Sequence, residues 1–160
     1  MIIVLMGVTG SGKTTVGRAL ADSLGWKYFD ADKFHSSANV AKMTEGVPLN
    51  DEDRKPWLKS LQELIRNESA AGESAVLACS ALRQSYRDML QIDEQVRFVY
   101  LRGNYDLIKE RLHTRTGHYM NPALLDSQFE ILEEPSGILE IDVRLSPDSI
   151  VKVIREYFGI

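Results

Sequence analysis

Gly7, Gly12, Lys13 and Thr14 fall at the spacing G-x-x-x-x-G-K-[ST] inside the stretch MGVTGSGKTT. Those residue types at that spacing suit one task, the holding of a polyphosphate. Glycines let the backbone curl so that successive N–H groups face inward around an anion. A helix starting near Lys13 adds its positive end to the same place. Lys13 is expected to reach the β- and γ-phosphates, the Thr14 hydroxyl to ligate Mg²⁺, and Thr15 to hydrogen-bond the α-phosphate. The whole loop, Gly7, Val8, Thr9, Gly10, Ser11, Gly12, Lys13, Thr14 and Thr15, is therefore a candidate ATP-binding segment. The competing reading is a plain glycine-rich turn.

A second group of chemistry-bearing residues lies in YFDADKFH. Asp30 and Asp32 are two apart, and in an extended segment their carboxylates share a side. Asp32 is a candidate for orienting a substrate hydroxyl and accepting its proton, or for holding magnesium-bound water. His35 reads equally as a substrate contact and as a surface or capping histidine. Two arginine pairs, Arg83 with Arg87 and Arg111 with Arg115, are each spaced four apart on expected helices. Like charges at that spacing repel slightly, and an anion between them offsets the repulsion. Arg111 and Arg115 precede TGHYMNP, which suggests a mobile lid at about 113–123 carrying cations over the ATP phosphates. Arg83 and Arg87 follow the third strand and suit a carboxylate on the second-substrate side. Solvated surface charge or salt bridges are the alternative for both pairs.

Positioning these residues requires a sheet with helices on it. Ile2 to Met6, Ala75 to Cys79 and Val96 to Leu101 are apolar runs of the kind buried on both faces of a parallel sheet. Lys27 to Asp30 and Ile138 to Val143 read as two further strands. Helices are expected from Thr14 to Leu24, stopped by Gly25, from Arg83 to Leu90, from Asn104 to Arg115 and from Leu124 to Leu132. Asn50 caps another, with Asp51, Glu52 and Asp53 in its first turn and Trp57, Leu58, Leu61, Leu64 and Ile65 along one face. Ser146 caps the last, with Pro147 at its first position and Gly159 at its end. Strands alternating with helices imply an α/β fold around a parallel sheet, with ligands at the strand ends.

The 160 residues suit a single domain, 1–160, and the composition, 44% apolar and 26% charged, is that of a globular protein. A net charge of −4 argues against bulk binding to nucleic acid or an anionic membrane. No apolar run approaches the roughly 20 residues of a membrane span, and MIIVLMG is shorter than a signal peptide and lacks a basic segment. Cys79 is the one cysteine, which suits a reducing, cytoplasmic setting. No N-K-x-D stretch is present to read guanine, Asp22-Ser-Leu-Gly25 sits at a helix end, and Ala75–Cys79 runs into Ser80 rather than an aspartate. With GTPases and large motors set aside, a small kinase with a second substrate near the end of strand two remains.

The chain resembles the small gluconate kinases, relatives of shikimate kinase and the nucleoside monophosphate kinases. The likeness runs from Ile2 to about Pro135 and more weakly beyond. It is carried by MGVTGSGKTTVGRALADSLG, DADKFHSSANVAKMTEGVPLNDEDRKPWL, ACSALRQSYRDML and VYLRGNYDLIKERLHTRTGHYMNPALLDSQFEILEEP. Where the family usually reads D-G-D, this chain has Asp30-Ala31-Asp32, and Ser36 stands where proline is common.

The resemblance implies a P-loop kinase fold, a five-stranded parallel sheet flanked by helices with a mobile lid, usually as a homodimer. It implies ATP- and Mg²⁺-dependent phosphorylation of D-gluconate at its 6-hydroxyl, giving 6-phosphogluconate and ADP. Lys13, Asp32 and Arg115 would then serve catalysis. His35, Arg54, Arg83 and Arg87 would contact substrate beside Asp32. Arg111, Arg115 and His118 would belong to the lid, His118 toward the substrate, with Lys42 and Gln128 as possible extra contacts. A kinase for shikimate or another small hydroxy acid, and a nucleotide sensor without turnover, are the rival expectations.

Overall fold

A computed structural model of the chain describes residues 1–114 and 123–160. Five strands form one all-parallel sheet: β1 (Ile2–Met6), β2 (Lys27–Asp30), β3 (Ala75–Ala78), β4 (Val96–Arg102) and β5 (Leu139–Asp142), in the order β2-β3-β1-β4-β5. Central β1 pairs with β3 from Ile2↔Ala75 to Leu5↔Ala78, and with β4 from Ile2↔Val96 to Met6↔Tyr100. The chain leaves β1 toward β2 and β3 on one side, and β4 and β5 lie on the other. Connections therefore diverge at the C-terminal end of β1, where a parallel sheet opens a crevice for ligands.

All five residues of β1 are buried, and their alternation distributes them to two cores. Ile3 and Leu5 join Val16 and Leu20 of helix α1 (Lys13–Leu24), Ile108 of α5 (Tyr105–Thr114), Leu125 of α6 (Leu124–Ile131) and Ile150 and Ile154 of α7 (Pro147–Phe158). Ile2, Val4 and Met6 face the opposite way, against Trp57, Leu58, Leu61 and Ile65 of α3 (Asp51–Ala70) and Leu90 of α4 (Gln84–Leu90). Each fully buried side chain of this size contributes about 1.5–3 kcal/mol over its exposed state. α1 can lie close to β2 because Gly17 has no side chain. A Cβ there would sit 2.7 Å from the Tyr28 ring.

Helix ends follow the expected caps. The Asn50 side chain accepts from the Asp53 N–H at 2.8 Å, and Asp53 accepts from the Asn50 N–H at 3.0 Å. Ser146 caps α7, and Gly25 and Gly159 close α1 and α7 in left-handed conformations, with φ of 66° and 68°. Two pieces differ from the sequence expectation. Ala31–Phe34 is a 3-10 turn, and α2 (Ser37–Thr44) is an additional helix capped by Ser36. The extended geometry expected to align Asp30 with Asp32 is thereby corrected, because the strand stops at Asp30. Asp30 caps the turn instead, accepting from the Asp32 N–H at 3.0 Å. Among the described residues no helix is long and apolar enough to cross a membrane.

Candidate functional site

The segment from Gly7 to Gly12 bends between β1 and α1, and the bend depends on its glycines. Gly7 has φ of 149°, and a Cβ there would lie 2.7 Å from the Leu101 carbonyl oxygen. Gly10 and Gly12 have φ of 79° and 96°. Gly12 opens α1 with no side-chain cap, the arrangement in which a helix start receives an anion. Lys13 folds its ammonium back over the loop, donating to the Gly7 carbonyl at 2.9 Å and the Val8 carbonyl at 2.8 Å. Val8, Thr9 and Ser11 are buried within the loop, while Thr14 is half-buried and Thr15 exposed.

Two cavities flank this loop. The first brings Lys13 and Thr14 together with Asp32, His35, Arg54 and Gln128. The second is lined by Gly10, Gly12, Thr15, Arg111, Leu145 and Pro147. Arg111 donates to the Val143 carbonyl at 2.6 Å and lines the second cavity rather than the first. Arg115 and His118, with most of the expected lid at about 113–123, lie outside the described residues.

The side of the first cavity away from the loop is built by α2, α3 and the 3-10 turn. The Trp57 indole N–H donates to the Ala31 carbonyl at 2.8 Å and fixes the turn that carries Asp32. Burial, with the Arg54 charge nearby, lowers the His35 pKa to about 4, so its ring is neutral at pH 7. The Asn39 amide nitrogen donates to the Asp53 carbonyl at 2.8 Å and lies 3.4 Å from His35 Nδ1. Nδ1 is then the acceptor, and the ring proton sits on Nε2 as a donor. Arg54 donates to the Leu49 carbonyl at 2.6 Å and to the Tyr86 hydroxyl at 3.4 Å. Tyr86 in turn donates to Asp51 at 2.5 Å, which holds that carboxyl below its usual range. Lys42 is paired with Asp53 at 3.0 Å and does not line the cavity.

The arginine pair expected on the substrate side is separated. Arg83 precedes α4 as its cap residue in extended backbone, and its charge is felt by Asp51 and Tyr86. Arg87 is only 4% exposed. It donates to the carbonyls of Ala81 (2.8 Å), Leu82 (3.2 Å) and Glu133 (2.9 Å) and to the Gln84 side chain (2.9 Å). Neither arginine is among the residues lining the first cavity. For Arg87 the reason is that Tyr86, Arg87 and Leu90 form the buried face of α4. Arg87 thus clasps the β3–α4 connection, where Ala81 holds φ of 43°, the one non-glycine residue with positive φ among those described. That strained connection sets Ser80 and Leu82 into the cavity wall. Cys79 beside it is buried, with its thiol pushed up to about 12 by desolvation.

Asn39, Tyr86, Asp51 and Trp57 support the site without having been singled out in the sequence. Trp57 has a signal as part of an apolar helix face and Asp51 as an acid in the first turn of that helix, while Asn39 and Tyr86 fall only within the stretches that carry the family likeness. Among the described residues, no group of three or more His, Cys, Asp or Glu side chains is arranged to hold a metal unaided. Thr14 with Asp30 and Asp32 nonetheless presents hard oxygen donors along one cavity beside the loop. That set fits an ion that takes its remaining ligands from phosphate and water.

Comparisons with known proteins agree with this architecture. The family model described as shikimate kinase matches residues 9–136. A probable gluconokinase of Rattus norvegicus is 49% identical over 155 residues, covering 85% of this chain and 84% of that protein. The crystal structure of a gluconokinase from Sinorhizobium meliloti superposes with a TM-score of 0.83 at 42% identity, covering 94% of this chain and 86% of that one. An unliganded sugar kinase from Janibacter sp. superposes with a TM-score of 0.92 at 41% identity, covering 99% and 94%.

Proposed function

The chain belongs to the gluconokinases of the shikimate kinase family, and on that premise we propose that it transfers the γ-phosphoryl group of ATP to the 6-hydroxyl of D-gluconate, giving 6-phosphogluconate and ADP. The observation that carries this reading is the single cavity shared by Lys13 and Thr14 of the phosphate loop and by Asp32, His35 and Arg54 of the acceptor side. A donor phosphate and an acceptor alcohol placed there would be in reach of each other. Such proximity supplies much of the rate in phosphoryl transfer.

In this reading the loop amides and the start of α1 hold the β- and γ-phosphates. Lys13 leaves the Gly7 and Val8 carbonyls to meet them. The nucleoside extends into the second cavity, between Arg111 and Pro147. Arg54, already fixed by Leu49 and Tyr86, takes the gluconate carboxylate, and the His35 Nε2–H donates to a substrate hydroxyl. Asp32 accepts the proton of the attacking hydroxyl. The acceptor oxygen bonds to the γ-phosphorus, the bond to the β–γ bridging oxygen breaks, and ADP carries away that electron pair. Mg²⁺, when bound, would be held by the Thr14 hydroxyl with Asp30 or Asp32 nearby and would neutralise charge on the β- and γ-oxygens. We extend the reading to one kinase domain, as the chain length suggests, in a cytoplasmic setting that suits the lone cysteine, and to the homodimer that the family resemblance implies.

The test is a coupled assay with ATP and Mg²⁺ against a panel of acceptors containing gluconate and shikimate. Gluconate is expected to be the preferred acceptor. Preference for another acid would overturn the substrate, and nucleotide binding without any phosphorylated product would leave a sensor.

A further inference from the structure

Helix α6 touches both halves of the cavity. The Gln128 side-chain oxygen accepts from the Thr9 N–H of the phosphate loop at 2.7 Å, across 119 residues of sequence. The same side chain lines the acceptor cavity with Leu124 and Ser127. One turn earlier, Leu125 packs into the core that holds Val8 of the loop, while Leu124 packs in a separate cluster with Met43 of α2 and Leu49 before α3. Beyond the helix, the Glu133 N–H donates to the Leu82 carbonyl at 2.9 Å, and the Glu133 carbonyl accepts from Arg87. α6 is therefore braced between the phosphate loop, the acceptor cap and the strained β3–α4 connection.

We propose that Gln128 is a positioning residue that sets the phosphate loop in register with the acceptor cavity, so that the acceptor hydroxyl meets the γ-phosphorus in line. This rests on the phosphotransfer reading above. The residue type fits the task. Thr9 is 6% exposed, and a buried N–H needs an acceptor. A carboxamide oxygen supplies one without a net charge, whereas a carboxylate would repel the incoming triphosphate at close range. Gln128 is long enough to reach the loop from a helix whose apolar residues are already committed elsewhere. A displacement on either side of α6 is thus transmitted to the other, and misplacement of about 1 Å can cost on the order of 100-fold in rate.

The experiment compares wild type, Gln128→Met and Gln128→Glu. Amide exchange is read in the ligand-free protein, and kcat and KM for each substrate are read in the coupled assay. Methionine keeps the length and loses the acceptor. Thr9 exchange should accelerate by at least about tenfold, with Ile3 to Leu5 unchanged. The kcat of this variant should fall about 10- to 100-fold, with KM for ATP within about threefold. Glutamate keeps the acceptor, so Thr9 stays protected while KM for ATP rises. The proposal is overturned if the methionine variant keeps a protected Thr9 amide or a kcat within about twofold of wild type. It is also overturned if exchange accelerates through β1 together with Thr9, or if the glutamate variant binds ATP as wild type does. Wild-type protein that transfers no phosphate to gluconate sinks the functional reading. Wild-type turnover matched by the methionine variant sinks only the role of Gln128.

Discussion

The imidazole of His35 lies flat on the indole of Trp57, with ring centroids 4.4 Å apart and planes inclined by 13°. Trp57 is buried in the core of α3 and bonded to the Ala31 carbonyl, so the stack transfers the rigidity of the core to a side chain in the acceptor cavity. The neutrality of the ring has a separate cause. Desolvation and the Arg54 charge both oppose its protonation.

The depressed His35 pKa has a defined effect on stability. The folded value is about 4 against 6.5 for the free side chain. The unfolded chain therefore binds the extra proton between those values, and stability falls as pH drops from 6.5 toward 4. Since the ring is partly exposed, a discounted effect of roughly 1–2 kcal/mol is expected. Urea denaturation of wild type and His35→Gln between pH 4 and 8 checks it. The difference in stability between the two proteins should shift over that window and be flat above pH 7. A difference independent of pH would mean that His35 titrates normally.

Asp32 and Asp30 sit in one cavity but have different work. Asp30 is engaged with the Asp32 N–H at 3.0 Å and so holds the turn. We expect Asp32→Asn to lower kcat by about 10²- to 10⁴-fold, the range for loss of a positioned base. ATP affinity, read by equilibrium binding, should stay near wild type. An unchanged kcat would remove Asp32 from the chemistry.

The sheet was legible because the apolar runs at Ile2–Met6 and Ala75–Ala78 leave few alternatives to buried parallel strands, and the phosphate loop because few other tasks demand its glycine and lysine spacing. The Ala31–Phe34 turn and α2 were not. Both are short and lack a strong apolar stripe, and they are held by contacts made elsewhere, at Trp57 and at Asn39 with Asp53. The direction of Arg87 was illegible for a different reason. Helical spacing alone puts an arginine on the wet face, and only the assembled fold turns three carbonyls inward to receive it. The contact between Gln128 and Thr9 has no local signal, since the two residues meet only through tertiary packing.

Tyr86 tests whether Arg54 must be held to act. Its hydroxyl joins Asp51 to Arg54, and its ring lies under the guanidinium at 5.6 Å. Phenylalanine keeps the ring and removes the link. KM for gluconate should rise about 3- to 10-fold with kcat nearly unchanged, the pattern for lost uniform binding. Stability should drop by about 1 kcal/mol. An equal rise in KM for ATP would show that the effect is not confined to the acceptor side.

Arg87 separates a substrate contact from a structural clasp by the parameter that moves. If it met the gluconate carboxylate, Arg87→Met would raise KM for gluconate steeply at little cost in stability. Its place in the fold demands the opposite. The guanidinium is buried and serves the Ala81, Leu82 and Glu133 carbonyls together, and methionine would leave all three without this donor. Loss of a buried charged hydrogen-bonding group typically costs about 2–4 kcal/mol. Urea denaturation should show a loss of that size for Arg87→Met. Arg87→Lys should recover only part of it, because an ammonium cannot reproduce the planar fork that spans two elements. Activity per folded molecule should fall through kcat, as the Ser80 wall relaxes, more than through KM for gluconate. A methionine variant as stable as wild type, with KM alone raised, would return Arg87 to the substrate.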